Sequence, residues 1–199
     1  MKPWHVLTGI ALGVGLVACK SITPPKGVTP VGGFDAGRYL GTWYEVARLE
    51  NRFERGLQQV TATYGERSDG GISVINRGYD PVKGRWKASE GRAFFTGKRS
   101  VAALKVSFFG PFFAGYNVIA LDSSYRYALV SGPNRDYLWL LSRTPEIPDA
   151  VKRCYLRIAR ELGFPVERLV WSQHRSESQH ATARTASAES GDTTECENR

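Results

Sequence analysis

Histidine and cysteine are scarce in this chain of 199 residues, with three of each. The histidines, His5, His174 and His180, all lie toward the termini. The central region therefore has no imidazole to act as a general base or to ligate haem or a metal. The cysteines, Cys19, Cys154 and Cys196, stand far apart, and none is placed to line a central pocket as a nucleophile. No catalytic triad can be assembled from these positions, so an enzyme is not expected, and neither a cofactor nor a metal is. Acidic residues are outnumbered, 19 against 27 basic ones, which gives a net charge of +8. No apolar stretch reaches the length of about 18 residues that a membrane-spanning helix needs, and no internal repeat is found. What is present is the composition of a globular domain, 42% apolar and 12% aromatic, which excludes a wholly disordered chain.

The chain opens with Lys2 and an apolar run over residues 6–18, the pattern of a signal peptide occupying residues 1–18. The run ends in Leu16-Val17-Ala18-Cys19, which resembles the bacterial lipobox, where the cysteine thiol is acylated and becomes the first residue of the mature chain. Three acyl chains, the number this resemblance implies, hold stably where a single chain binds only marginally. Lys20 and Ser21 stand where an aspartate would retain such a protein at the inner membrane. The resemblance thus implies sorting to the outer membrane, with the domain facing the periplasm. Residues 19–33, rich in Pro, Gly and Thr, read as an extended lipidated tether. An exported chain does not meet nucleic acid, and no nucleic-acid motif is present. Loss of Lys2, the one charged side chain in residues 1–18, leaves +7 (8 − 1), a charge that suits anionic lipid surfaces or serves solubility alone.

From residue 39 to 143, short runs of β-branched and aromatic residues recur about every ten residues, separated by turn signals. Eight strands are expected, at 43–49, 59–66, 72–79, 86–94, 103–108, 116–122, 127–131 and 137–143. An antiparallel up-and-down β-barrel is the simplest way to join them. The period then changes: Val151, Tyr155, Ile158, Ala159 and Leu162 recur at helical spacing between Pro148 and Gly163, so one helix is expected to pack on the barrel wall. Leu169-Val170-Trp171 can add a short ninth strand, and residues 174–199, without apolar anchors, read as a disordered tail.

An eight-stranded barrel is just wide enough to hold side chains or one small ligand, and it needs a closed base. Trp43, two residues after Gly41, is suited to plug one end, the glycine letting another backbone pass close by. Here the residues resemble a family. Gly41-Thr42-Trp43-Tyr44 resembles the first signature of the lipocalins, Gly132-Pro133-Asn134-Arg135-Asp136-Tyr137 falls where the second lies, and Arg143 matches the third. The likeness spans about residues 33–172, and the domain is bounded at 34–173. It implies an all-β lipocalin calyx in which Arg143 packs across the indole of Trp43 at the closed end. It also implies a lipid-binding protein that stores or carries lysophospholipids or fatty acids for envelope maintenance under stress.

Strand parity from Arg143 puts Leu141, Trp139 and Tyr137 on one side, and the apolipoprotein D-like branch of the family places the Trp139 indole inward. Tyr116, or its neighbour Asn117, and Phe108 complete the expected pocket. Counting strand directions from Trp43 puts the turns 50–56, 80–85, 109–112 and 132–136 at the mouth. Arg52, Arg55, Lys83, Arg85 and Arg135 then ring the rim, with Arg52 and Arg135 expected to meet a charged head group. The phenylalanines of the 108–113 loop can touch the membrane or a second copy of the chain, giving a homodimer. Glu45 and Glu90 could face inward, but the favoured reading has them hydrogen-bonded near strand ends or on the outside. Cys154 is either free or bridged to Cys196. Two further readings stay open: an enzyme acting on a bound lipid, and a non-catalytic envelope interaction protein with a filled barrel.

Overall fold

Strand side chains point alternately to the two faces of a sheet, and this chain builds eight strands in succession, each with one face turned into a common interior. They are β1 (Gly41–Leu49), β2 (Gln58–Glu66), β3 (Ile72–Asp80), β4 (Arg85–Phe95), β5 (Ala103–Phe109), β6 (Phe112–Leu121), β7 (Tyr127–Ser131) and β8 (Leu138–Ser142). A ninth, β9 (Leu169–Trp171), follows later. The computed structural model describes residues 22–174. Cys19, His180, Cys196, the expected signal peptide and nearly all of the expected tail lie outside the described residues.

The strands pair in the order β2-β3-β4-β5-β6-β7-β8-β1, and β1 pairs again with β2 to close the ring. Every pairing is antiparallel. This is the expected up-and-down barrel, with strand positions matching within two residues except at β6, which starts four residues early. There the chain turns back on itself between Phe109 and Phe112, which pair directly, so the expected 109–112 loop shrinks to a turn at Gly110 and Pro111. Closure at β1 is partial. Its lower half, Gly41 to Tyr44, pairs with β2, while Ala47, Arg48 and Leu49 pair with β9 instead.

Helix α1 (Ala36–Tyr39) precedes β1, and α2 (Asp149–Glu161) follows β8. The buried face of α2 is Val151, Tyr155 and Ala159, spaced four apart so that they lie on one stripe. That stripe meets the outward residues Tyr127, Leu129, Leu138 and Leu140 of the barrel wall, and each large side chain buried there contributes about 1.5–3 kcal/mol. Tyr155 Oη donates to the Tyr127 carbonyl at 3.0 Å, so the one polar atom on the stripe is satisfied.

Three parts of the fold depart from the sequence reading. Helix α1 was not expected; it forms because Asp35 caps it, its Oδ1 accepting from the Gly37 and Arg38 amides at 2.9 and 3.4 Å. The expected extended tether is in large part a strap on the barrel: Val28 and Val31 are buried, and the Val31 amide donates to the Val118 carbonyl at 2.9 Å. His174 is packed domain rather than tail. Its ring meets Tyr44 edge-on at 5.3 Å, with Nε2 lying 2.7 Å from the Glu45 carbonyl oxygen.

Candidate functional site: the calyx and its mouth

The closed end is built from the residues just before β1. Trp43 is fully buried, its Nε1 donating to the Tyr39 carbonyl at 2.9 Å, and the Tyr39 ring lies 4.7 Å from the indole. Arg143 lies over the indole, its Cζ 4.0 Å from the ring centre. The guanidinium then donates to the carbonyls of Thr42 at 3.0 Å and Arg38 at 2.8 Å. Gly41 makes this possible, though for a different reason from the one expected. Its φ of +93° suits glycine, and a Cβ there would sit 3.3 Å from Arg143 Nη1. The close neighbour is a guanidinium and not a backbone.

Above this base the inward residues are mainly apolar: Leu141 on β8, Val130 and Ala128 on β7, Val118 on β6, Leu104 on β5, Ala93 on β4 and Val74 on β3. Three tyrosines interrupt them. Tyr116 Oη lies 2.8 Å from Tyr39 Oη and 2.7 Å from Tyr64 Oη, so three buried hydroxyls satisfy one another. Burial pushes all three hydroxyls above the ordinary tyrosine range, and they stay protonated. Beside them lies an apolar recess of about 10 Å³ lined by Phe34, Ile72 and Val106 among others. The lower calyx is thus a packed floor, with room for little more than a water. Tyr116 faces inward and Asn117 outward, since Tyr116 pairs with the inward Leu104.

Higher up, the interior holds a buried ion pair. A bulge between Glu45 and Ala47 lets Glu45 pair with inward Leu141, and Arg48 with inward Trp139. Both charged side chains therefore enter the barrel, three residues apart on one strand. Arg48 Nη1 donates to Glu45 Oε1 at 2.7 Å, and Ser172 Oγ adds a second donor at 2.8 Å. Burial, then the charge of Glu54, pushes the Glu45 carboxyl up to about 7 against the downward pull of Arg48. Burial would lower the Arg48 guanidinium, but the Glu45 carboxylate outweighs it and raises it. Two inner polar atoms, Arg48 Nε and Asn76 Oδ1, are buried without a protein partner. Glu90 faces outward, pairing with exposed Ile75.

The loop from 50 to 57 folds over this pair. Arg48 Nη2 donates to the carbonyls of Glu54 at 3.0 Å and Leu57 at 3.2 Å. Trp139 is half-buried against the inner cluster, its Nε1 donating to Glu54 Oε2 at 2.9 Å. The ring of Tyr137 stacks on it at 6.2 Å. Phe108 also packs on the inner cluster, and Gly91 clears its path, since a Cβ at Gly91 would come 2.8 Å from the ring. Trp139, Tyr116, Leu141 and Phe108 thus share the interior, with Tyr137 at its upper edge. Arg52 lies on the rim, its Cζ 4.8 Å from the Phe53 ring. Arg135 is used differently: it donates to the carbonyls of Leu162 at 2.8 Å and Lys26 at 2.9 Å, tying the end of α2 and the strap to the barrel.

The tyrosine trio and the Glu45–Arg48 pair went unread in the sequence. Strict alternation puts positions 45 and 48 on opposite faces, and only the bulge reunites them. The trio needs α1 to bring Tyr39 under the floor. Cys154, half-buried on α2, is disulfide-bonded; the Cys196 half of the expected pair lies outside the described residues. Among the described residues, no group of three or more His, Cys, Asp or Glu is placed to hold a metal.

Residues 34–174 match the family model of the lipocalin-like domain. The outer membrane lipoprotein Blc of Citrobacter freundii is 62% identical over 171 residues, 86% of this chain and 97% of that protein. Its namesake from Escherichia coli K12 is 64% identical over 158 residues, 79% and 89% of the two chains. Insecticyanin from the tobacco hornworm Manduca sexta shares the fold, with a TM-score of 0.62 at 21% identity over 77% of this chain and 87% of that one. The two bacterial relatives are outer-membrane lipoproteins by name, and this chain is assigned to the same membrane. A closed eight-stranded calyx plugged by Trp43 under Arg143, with one helix on its wall and this matched span, leaves one conclusion: the chain belongs to the lipocalin family.

Proposed function

We propose that this protein is a lipid-binding lipocalin, acylated at Cys19 and held on the periplasmic side of the outer membrane. In this reading the calyx takes the acyl chain of a lysophospholipid or fatty acid tail-first, to store or carry it in envelope maintenance under stress. The observation that carries the proposal is the division of the interior. A closed, hydrogen-bonded aromatic floor and an apolar inner wall lie beneath the buried Glu45–Arg48 pair, and the polar atoms Arg48 Nε and Asn76 Oδ1 stand without a protein partner. An amphiphile suits that division, because its chain satisfies the apolar wall while its polar end can reach donors higher up. The family points to binding rather than turnover, and the lipid is a ligand here, not a substrate.

Trp139 supplies the readout. Lysophospholipid titrated into the purified protein should quench indole fluorescence, and Trp139→Phe should lose that component while keeping the fold. Native mass spectrometry of protein taken from its own membrane should show bound lipid. An unquenched wild type that carries no lipid would overturn the proposal and favour a filled-barrel interaction protein.

A further inference from the structure

We propose that the open rim of the barrel is a membrane-contact surface, seated on the anionic phospholipid bilayer that carries the chain's own anchor, with the calyx mouth turned into the lipid. Each of three mouth turns presents a large apolar side chain outward. Phe53 is 56% exposed, Val82 93%, Phe109 73% and Phe112 63%. Among the described residues, the closed-end turns at 66–71, 96–102, 122–126 and 142–147 expose none. The asymmetry is along the barrel axis, as a surface that enters lipid at one end requires.

Exposed cations stand beside the apolar tips. Arg52, Arg55, Lys83 and Arg85 are exposed in these mouth turns. The acids nearby are largely spent: Asp80 pairs with Lys87 at 2.8 Å, and Glu50 lies 3.4 Å from Arg48. Apolar tips flanked by unspent cations match a layer of anionic head groups over hydrocarbon. Just below the rim, on the outer wall, Trp86 is 44% exposed and packs against Tyr79 at 5.5 Å, the amphipathic aromatic pairing favoured at head-group depth.

The anchor points the same way. The strap does not leave from the closed end: the Ile22 carbonyl lies against Gly115, where a Cβ would meet it at 2.8 Å. Gly115 is three residues along β6 from Phe112, about 10 Å below the rim at the rise of a strand. Lys26 is held by Arg135 of the mouth turn, and only further on does the strap reach the base, where Gly32 bridges Val101. Cys19 precedes Ile22 by three residues, at most about 11 Å of chain. Acyl chains on Cys19 would therefore hold the mouth, not the base, against the bilayer. A lipid could then pass between membrane and calyx without crossing water, an extension that rests on the lipid-binding reading above.

The test uses the lipidated full chain in vesicles of phosphatidylethanolamine and phosphatidylglycerol, with one nitroxide at Val82→Cys or, as the closed-end control, at Ser123→Cys. The rim label should lose access to an aqueous nickel relaxant and gain access to dissolved oxygen, while the control label stays aqueous. Phe109→Asp with Phe112→Asp should return the rim label to the aqueous state without moving the unfolding midpoint. Two aqueous labels, or a control label in lipid, would overturn the proposal. So would a short nitroxide–nitroxide distance between two copies at Val82, which would give the rim to self-association. Lipid content measured on the same samples separates the two readings. Bound lipid with an aqueous rim defeats only the orientation, and an inserted rim without bound lipid defeats only the proposed function.

Discussion

Trp43 and Arg143 each perform more than one task, and this makes them costly to lose. The indole fills the base and donates to Tyr39, while the guanidinium stacks on it and donates to the carbonyls of Thr42, Arg38 and, at 3.3 Å, Tyr125. Trp43→Ala should destabilise the fold by about 3–5 kcal/mol, and Arg143→Ala by about 1–3 kcal/mol, in urea unfolding. A wild-type midpoint in Trp43→Ala would contradict the plug. Glu45 gives a second, opposite kind of dependence. In the unfolded chain its carboxyl ionises near 4.5, in the folded chain near 7. Between those pH values the folded state keeps a proton that the unfolded state has released, so stability falls as pH rises across the window. The urea midpoint should drop from pH about 5 to about 7.5 more in wild type than in Glu45→Gln. Equal drops would show that Glu45 does not titrate in this range.

At the level of elements, the sequence is most legible where one physical signal acts alone. Runs of β-branched and aromatic residues between turn signals marked the strands, and the Val151, Tyr155, Ala159 stripe marked α2 without ambiguity. What escaped reading required two distant segments at once. The strap has no period of its own, and its buried Val28 and Val31 are meaningful only once Val118 and Ala102 offer it backbone partners. The bulge in β1 has no sequence marker such as glycine, yet it decides that Glu45 and Arg48 share the calyx. Arg135 shows the same limit: its place in a mouth turn was readable, but its bonds to α2 and the strap were not. Those bonds yield a prediction. Arg135→Gln should speed amide exchange in the last turn of α2 and in the strap, costing about 1–3 kcal/mol locally, with barrel amides unchanged. Uniform acceleration would mean that the side chain supports the whole fold.

For the whole molecule, the argument concerns how a lipid's two ends are told apart. The inner wall is apolar and would discriminate chains weakly, since a methylene is worth only about 1–3 kcal/mol against such a wall. Any head-group preference must come from polar groups inside the calyx or on the rim, and of the two arginines expected to meet a head group, Arg135 is committed to the carbonyls of Leu162 and Lys26, which leaves Arg52. Arg52 is exposed and lies beside Phe53, so water and salt screen its pairing with a phosphate. Its contribution should therefore be small and salt-dependent: Arg52→Gln should weaken lysophosphatidylglycerol binding by about two- to five-fold at low ionic strength, converging with wild type as salt rises. An uncharged monoacylglycerol of equal chain length should be unaffected. If both lipids lose affinity equally, the rim does not read charge, and selectivity would have to reside deeper, at Arg48 and Asn76, where burial leaves no screening and a charged head group would meet an already compensated Glu45.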